Sequence, residues 1–295
     1  MGPRVERSWV PVERFCLASR VVDRQAFDLM AFYDDYARVE EGFGAALEES
    51  LHPRGPQMLY DIVAGLGLGL GAGAKALDVG CGEGRQAVEL AQRFGFEVRG
   101  VDPVPRHVAV ARQHASSRLD VAGRVSFTLG GAEQLPVADG AVDLVWCRDV
   151  LVHVPALDPV YAEFRRVLAG GGRAVIYQMF ATDLLEPAEA GRLFAAMGVF
   201  AENADPTRTV RAVAAAGLHV DDCIELGSEW GEYAQEHGDQ AVRRLLHTAR
   251  LLRQPDRYIE RFGREAYDIA VGDCLWHVYR MIGKLGPRVY LLSVP

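Results

Sequence analysis

Cysteine and lysine are scarce in this chain of 295 residues. The five cysteines are widely scattered, and no two of them form a C-x-x-C pair. Neither a disulfide framework nor a zinc cluster is therefore expected. Lys75 and Lys284 are the only lysines among the 32 basic residues, a bias typical of a GC-rich bacterial genome.

Long apolar runs are also missing. The longest weakly polar run, residues 62–74, is rich in glycine and well below the ~20 residues that a bilayer-spanning helix needs. The first residues lack the pattern of a secretory signal, and Glu6 breaks a myristoylation motif. We therefore predict a cytoplasmic protein without a membrane partner.

An excess of positive charge is absent as well. The net charge is −8, which argues against a polyanion such as nucleic acid as the main partner. No His/Asp/Glu cluster stands at metal-ligand spacing, so no metal is expected. The composition favours a small-molecule substrate and says nothing about oligomeric state.

From residue 75 onwards, short apolar segments alternate with helical ones. The predicted strands of this region read "ALDVG", "FEVRGVD", "RVSFTLG", "AVDLVWC" and "GRAVIYQMF". Residues 84–94, 106–115 and 157–168 are long enough for crossover helices and are apolar at helical spacing. This alternation predicts an α/β fold with a doubly wound, mostly parallel seven-stranded sheet.

The segments outside this core are predicted to be mainly helical. Residues 1–72 are predicted to form an N-terminal helical cap, with helices near 24–39 and 56–66. Residues 73–228 form the predicted core, which a last strand at 287–295 completes. Residues 229–286 are too long for a hairpin and predict an inserted lid of two helices rich in arginine and aromatic residues.

The most informative segment is "ALDVGCGEG", residues 76–84, which follows directly on the first strand. Gly80, Gly82 and Gly84 give G-x-G-x-G, with Arg85 where the third glycine of a dinucleotide fingerprint would fall. No G-K-[ST] follows, so a Walker-type phosphate loop is excluded. A loop without side chains at the carboxyl end of a strand still indicates close contact between a ligand and the backbone.

Together with "VRGVDPV" and "GGAEQLPVADGAVDLVWCRDVLVHV", this segment resembles class I S-adenosylmethionine-dependent methyltransferases of the small-molecule branch. The resemblance covers residues 76–179 closely and extends weakly to 226. It implies S-adenosyl-L-methionine as cofactor and methyl transfer to a nitrogen or oxygen of a specialised metabolite. The alternatives are C-methylation and a protein that binds the cofactor without methylating.

The resemblance also implies the residues of the cofactor site. They are Asp78, Gly80, Cys81, Gly82, Asp102, Pro103, Ala132, Glu133 and Arg148. Asp102 would accept the ribose hydroxyls and Asp78 would bind the amino group, although each could instead cap a helix. Gly131 stands where the family often has an adenine-binding aspartate, which leaves open whether Glu133, Gln134 or a water takes over that contact.

For the acceptor, the resemblance points to "CRDVLVHV". His153 is the candidate base, and Asp149, four residues earlier, would share its side of a helical turn. Tyr33 or Tyr36 from the N-terminal helices would close over the methyl group. The alternatives are a packed His153 that orients the loop and a surface ion pair between Arg148 and Asp149.

Further substrate contacts are expected from polar and aromatic side chains around the cleft. We name Tyr36, Gln178, Trp230, Tyr233 and Trp276. Aromatic residues at helical spacing also fit a packed helical layer, so both roles stay open for the lid aromatics.

Overall fold

The structure is a computed structural model that describes residues 28–67, 73–121, 123–238 and 242–295. The chain divides into two units, Met1–Leu51 and His52–Pro295. The described part of the first unit contains helix α1 (Leu29–Leu47), and Asp28 caps its first turn by accepting two backbone N–H groups. The start of the helix predicted at 24–39 lies outside the described residues.

A seven-stranded sheet forms the centre of the second unit. Its strands are β1 (Lys75–Val79), β2 (Glu97–Asp102), β3 (Val125–Leu129), β4 (Val142–Arg148), β5 (Leu168–Ala181), β6 (His219–Glu225) and β7 (Leu285–Ser293). Their order is β3-β2-β1-β4-β5-β7-β6, and all neighbours are parallel except that β7 runs antiparallel to β5 and β6. The predicted doubly wound, mostly parallel sheet is confirmed.

Helices cover both faces of this sheet. They are α2 (Gln57–Gly65), α3 (Arg85–Phe94), α4 (Pro105–Ser116), α5 (Leu157–Val167), α6 (Pro187–Met197), α7 (Pro206–Ala215), α8 (Glu229–Glu236), α9 (Arg243–Arg253), α10 (Pro255–Phe262) and α11 (Arg264–Met281). Side chains of α2, α3 and α4 pack on one face, and those of α5 and α7 on the other. Neighbours such as Leu144 and Val145 on β4 point to opposite cores, as the period of two requires.

Helix α2 belongs to the core unit. Leu59, Tyr60 and Val63 are buried, and the ring of Tyr60 stacks on that of Trp146 with centroids 5.3 Å apart. The predicted division into a cap of residues 1–72, a core and a lid stays a prediction.

The region between β6 and β7 holds more helices than expected. In its described residues we find four helices, α8 to α11, where the sequence predicted two. Pro255 opens α10 directly after α9, and Gly263, with a φ of +85°, separates α10 from α11. A lid of two helices is therefore wrong, because proline and glycine divide the segment into shorter pieces.

The topology decides where a ligand can reach the sheet. The parallel strands β1, β2, β4 and β5 end at one edge, and β7, being antiparallel, begins there. The end of α11 lies at the same edge, since it leads directly into β7. In the described part of the chain, no helix is long and apolar enough to cross a bilayer.

Candidate functional site

The glycine loop after β1 has a backbone that other residues rarely adopt. Gly80, Gly82 and Gly84 have φ angles of +72°, +51° and +78°. A Cβ atom on Gly80 would lie 2.2 Å from the side chain of Val150, and one on Gly84 would lie 2.5 Å from the ring of Phe127. A Cβ atom on Gly82 would meet nothing within 4 Å, so this part of the loop borders open space.

Asp102 ties this loop to the end of β2. One carboxylate oxygen accepts the N–H of Gly82 at 2.9 Å. The other accepts the N–H of Val104 at 2.9 Å and lies 3.1 Å from Nδ1 of His107. Asp102 is buried, and its oxygens retain lone pairs for further donors. The sequence did not predict that Asp102 holds the glycine loop or that it contacts His107.

Asp78 lies buried beside the same loop. Its Oδ2 atom has no hydrogen-bond partner among the described residues. Burial raises the pKa of Asp78 to about 7, the nearby Asp102 adds to this, and Ala87 and Arg148 act in the opposite direction. An orphaned carboxylate oxygen in the interior is costly unless a cation or donor joins it.

A cavity of about 250 Å³ opens next to the loop. Its lining includes Gly80, Pro103, Gly131, Ala132, Glu133 and His153. Tertiary structure thus brings together residues from three of the predicted motifs. A Cβ atom on Gly131 would lie 3.0 Å from Oε2 of Glu133, so the Glu133 carboxylate lies next to where a side chain at 131 would begin.

His153 ends a short 3-10 turn, Leu151–His153, at the rim of this cavity. Its Nδ1 lies 2.9 Å from the carbonyl oxygen of Gly198. A carbonyl can only accept, so in the neutral ring Nδ1 carries the proton and Nε2 is left as an acceptor. The predicted helical turn shared with Asp149 is not formed, because Asp149 has a φ of +58° and the 3-10 turn follows it.

Asp149 lies at the cleft edge after β4, with its backbone N–H donating to the carbonyl of Tyr177 at 3.0 Å. Asp149 is exposed at this edge, although protein atoms around its carboxylate displace part of its hydration. This desolvation raises the pKa of Asp149 to about 6, although Arg148, Arg280 and His153 each act to lower it. The carboxylate therefore titrates near neutrality rather than in its ordinary acidic range.

Arg148 and Asp149 do not form an ion pair in the described structure, which was the alternative to a role in the site. The guanidinium carbon of Arg148 instead lies 5.0 Å from the ring centroid of Trp230 and 5.9 Å from that of Tyr177. The two rings meet edge to face with centroids 4.4 Å apart, and both are buried. Trp230 therefore packs beneath Arg148, and its contact with a substrate stays a prediction.

Two other predicted substrate residues are likewise packed into the protein. Gln178 is completely buried, and its amide N–H donates to the backbone carbonyl of Asn203 at 2.6 Å, while its Oε1 has no partner among the described residues. Its contact with a substrate stays a prediction. Asn203 in turn donates to two backbone carbonyls, of Leu151 and Val154, which fixes the turn before α5. Trp276 is half-buried against the apolar cluster behind β5.

The remaining predicted residues have separate surroundings. Cys81, within the glycine loop, is buried. Tyr233 stacks on His237 with ring centroids 3.9 Å apart. Tyr33 and Tyr36 lie on α1 in the first unit, so their contact with the methyl group or the substrate stays a prediction.

Comparison with known proteins finds similarity to methyltransferases in the central part of the chain. Residues 77–176 match the family model described as "Methyltransferase domain". The chain is 41% identical to Methyltransferase GfsG of Streptomyces halstedii over 102 residues, which are 35% of this chain and 36% of that protein. The curated relatives that it matches include C-, O- and N-methyltransferases, and the chain spans less than half of their lengths.

Solved structures extend the likeness to most of the chain. A putative sarcosine dimethylglycine methyltransferase from Galdieria sulphuraria has a TM-score of 0.62 at 18% identity, covering 80% of this chain and 84% of that one. The [4+2]-cyclase SpnF has a TM-score of 0.61 at 23% identity, covering 84% and 85%. Residues 77–176 therefore match the methyltransferase domain family, and the chain has the fold of class I S-adenosylmethionine-dependent methyltransferases.

Proposed function

We propose that this protein transfers a methyl group from S-adenosylmethionine to a nitrogen or oxygen of a small-molecule acceptor. One observation supports this most directly: the partnerless Oδ2 of Asp78 lies beside a left-handed glycine loop that borders open space. The cofactor carries an ammonium, a carboxylate, a ribose diol and a flat base. The residues present fit each of these groups.

Asp78 and Arg148 suit the amino-acid end of the cofactor. Asp78 offers a buried acceptor to the ammonium group, and Arg148 lies close enough to lower the pKa of Asp78. Its guanidinium would bind the carboxylate carried by the same carbon as the ammonium. Asp102, already fixed by Gly82, would accept the ribose hydroxyls with its remaining lone pairs.

The cavity beside Gly131 suits the adenine ring. Ala132 and Pro103 contribute apolar surface to its lining. The Glu133 carboxylate, which lies next to Gly131, would accept a hydrogen bond from the exocyclic amine of adenine. His153 offers a second acceptor at Nε2, since its Nδ1 faces the carbonyl of Gly198. His153 would then position the cofactor instead of acting as the base.

When bound, the cofactor supplies a methyl carbon on a positively charged sulfur. Asp149, with a pKa of about 6, would hold the acceptor and take its proton at the carboxylate. A base of this strength suits an ammonium or an acidic hydroxyl better than a carbon acceptor that must be deprotonated to a carbanion. We therefore prefer nitrogen or oxygen over carbon, and a specialised metabolite as the acceptor stays a prediction.

Two measurements test the proposal. Titration calorimetry with S-adenosylhomocysteine should show binding by the native chain and a large loss of affinity in Asp78→Asn. Incubation with methyl-tritiated cofactor and a panel of small amines, phenols and alcohols should then give a labelled product. No heat of binding and no rise in melting temperature on adding the nucleoside would refute the cofactor site and the function together.

A second function is favoured by one finding, namely that a structural neighbour is a [4+2]-cyclase. A protein that binds the cofactor without methylating would keep every feature of the site described above. Tight binding of S-adenosylhomocysteine with no labelled product from any acceptor class would support this alternative. Labelled product that disappears in Asp149→Asn would exclude it.

A further inference from the structure

A second arginine, Arg280, lies at the acceptor side of the cleft. It is the penultimate residue of α11, where the chain turns into β7. Its guanidinium lies beside the hydroxyl of Tyr177 and close enough to Asp149 to lower the pKa of both groups. The sequence gives no signal for this position, because α11 and β4 are far apart along the chain.

The guanidinium of Arg280 is poorly satisfied by the protein. Its Nε atom is buried without a hydrogen-bond partner among the described residues, and Nη2 has a long contact of 3.4 Å with Nδ1 of His277. Among the described residues, no carboxylate oxygen lies within 4.0 Å of the guanidinium nitrogens of Arg280. Leaving a buried N–H group unpaired destabilises the folded state, so a group that stabilised only the fold would be expected to have a partner.

Other basic residues of the same region do have such partners. Arg244 pairs with Asp273, and Lys284 pairs with Glu189. Arg264, on the same helix as Arg280, lies 3.6 Å from a carboxylate oxygen of Asp268. Arg280 thus differs from these three residues in being partly buried with no carboxylate oxygen of the described residues within ion-pair distance.

The charges along the cleft have a definite order. Arg148 affects the pKa of both Asp78 and Asp149. Arg280 affects Asp149 and Tyr177 but is not among the groups that act on Asp78. Arg280 therefore lies nearer to Asp149 than to Asp78. A Cβ atom on Gly231 of α8 would lie 3.9 Å from its Nε atom, one residue after Trp230, over which Arg148 lies.

We propose that Arg280 binds an anionic group of the methyl acceptor, a carboxylate or a phosphate. This inference rests on the proposed function, since it names the acceptor class of the same site. A planar guanidinium donates two parallel hydrogen bonds to either oxyanion and would thereby gain the partners that the protein does not provide. The anion would hold the acceptor while Asp149 receives its proton.

The test uses the full chain saturated with S-adenosylhomocysteine, with inorganic phosphate and acetate as separate probes. Binding is followed by phosphorus line broadening and by saturation transfer to the acetate methyl group. We expect saturable binding of at least one anion, weakened fivefold or more in Arg280→Gln and unchanged in the matched control Arg264→Gln. The stronger of the two probes indicates whether the acceptor carries phosphate or carboxylate.

The outcomes separate this inference from the proposed function. Equal anion binding by Arg280→Gln and the native chain, or no saturable binding of either anion by protein that binds S-adenosylhomocysteine, overturns the inference alone. Loss of nucleoside affinity in Arg280→Gln as large as in Arg148→Gln also overturns it, because Arg280 would then serve the cofactor. If Arg280→Gln does not fold, Arg280→Lys replaces it, and undiminished anion binding in that variant contradicts the bidentate contact.

Discussion

Replacing Asp78 by asparagine should stabilise the cofactor-free protein while weakening cofactor binding. Burial raises the pKa of Asp78 from 3.8 to about 7. At ~1.4 kcal/mol per pKa unit, holding the charged carboxylate costs the folded state about 4 kcal/mol at pH 8. The asparagine amide has no evident partner for its N–H groups, which costs about 1–3 kcal/mol. The expected net gain is therefore about 1–3 kcal/mol.

The free energy of unfolding that Asp78→Asn gains should increase with pH. Because the folded protein holds the Asp78 proton more tightly than the unfolded chain, the native protein has no penalty below pH ~4. It loses stability as the pH rises, until the penalty is complete above pH ~7. Asparagine does not titrate, so the advantage of Asp78→Asn should be near zero at pH 5 and grow by about 3 kcal/mol up to pH 8.

Differential scanning calorimetry without ligand measures this advantage directly. For a unit of this size, the gap in melting temperature should widen by roughly 5–10 °C between pH 5 and pH 8. The exposed Glu260→Gln is the matched control and should show no such widening. In calorimetric titrations, S-adenosylhomocysteine should bind Asp78→Asn at least about 30-fold more weakly, since a buried charge pair loses one partner. A variant less stable than the native chain at pH 8, or a gap independent of pH, would refute the reasoning.

Three further predictions concern the loop, the base and the supporting turn. Gly80→Ala should lower the melting temperature more than Gly82→Ala, because only the methyl group at position 80 would meet a side chain. Gly82→Ala should mainly weaken binding of S-adenosylhomocysteine. Equal decreases in melting temperature for the two variants would contradict this. With the acceptor known, the native rate should rise with pH through about 6 and level off, while Asp149→Asn should be slower by ~10²-fold or more with no such titration; an unchanged profile would exclude Asp149 as base. Asn203→Ala should cost about 2 kcal/mol in unfolding experiments, because two buried carbonyls lose their donor, and an unaltered melting temperature would show that they find another.

Much of the fold could be predicted because its signals are local. Strands buried on both faces show as short apolar runs, and the crossover helices α3, α4 and α5 show a helical period. The left-handed angles of Gly80, Gly82 and Gly84 follow from a turn that only glycine enters easily. In the region between β6 and β7, Pro255 and Gly263 are local signals of separate helices, which the prediction of two helices did not take into account.

The site could be predicted only in part. The parallel sheet brings the motifs after β1, β2 and β4 to one edge, so that Asp78, Asp102 and Asp149, which the resemblance had singled out, lie at the same edge. Their roles stay predictions. The burial of Gln178 and the 3-10 turn that carries His153 could not be found this way, because both depend on contacts with residues 198 and 203.

By itself, the sequence determined the alternation of strands and helices, the glycine loop and the acids that follow the strands, since these depend on backbone preference and on the period of burial. Only the tertiary structure decided that Asp78 keeps an oxygen without a partner among the described residues, that the pKa of Asp149 is raised to about 6, and that Arg280 comes close to Asp149. The physical reason is that desolvation and charge pairing depend on which distant segments pack around a group. No local pattern in the chain specifies those neighbours.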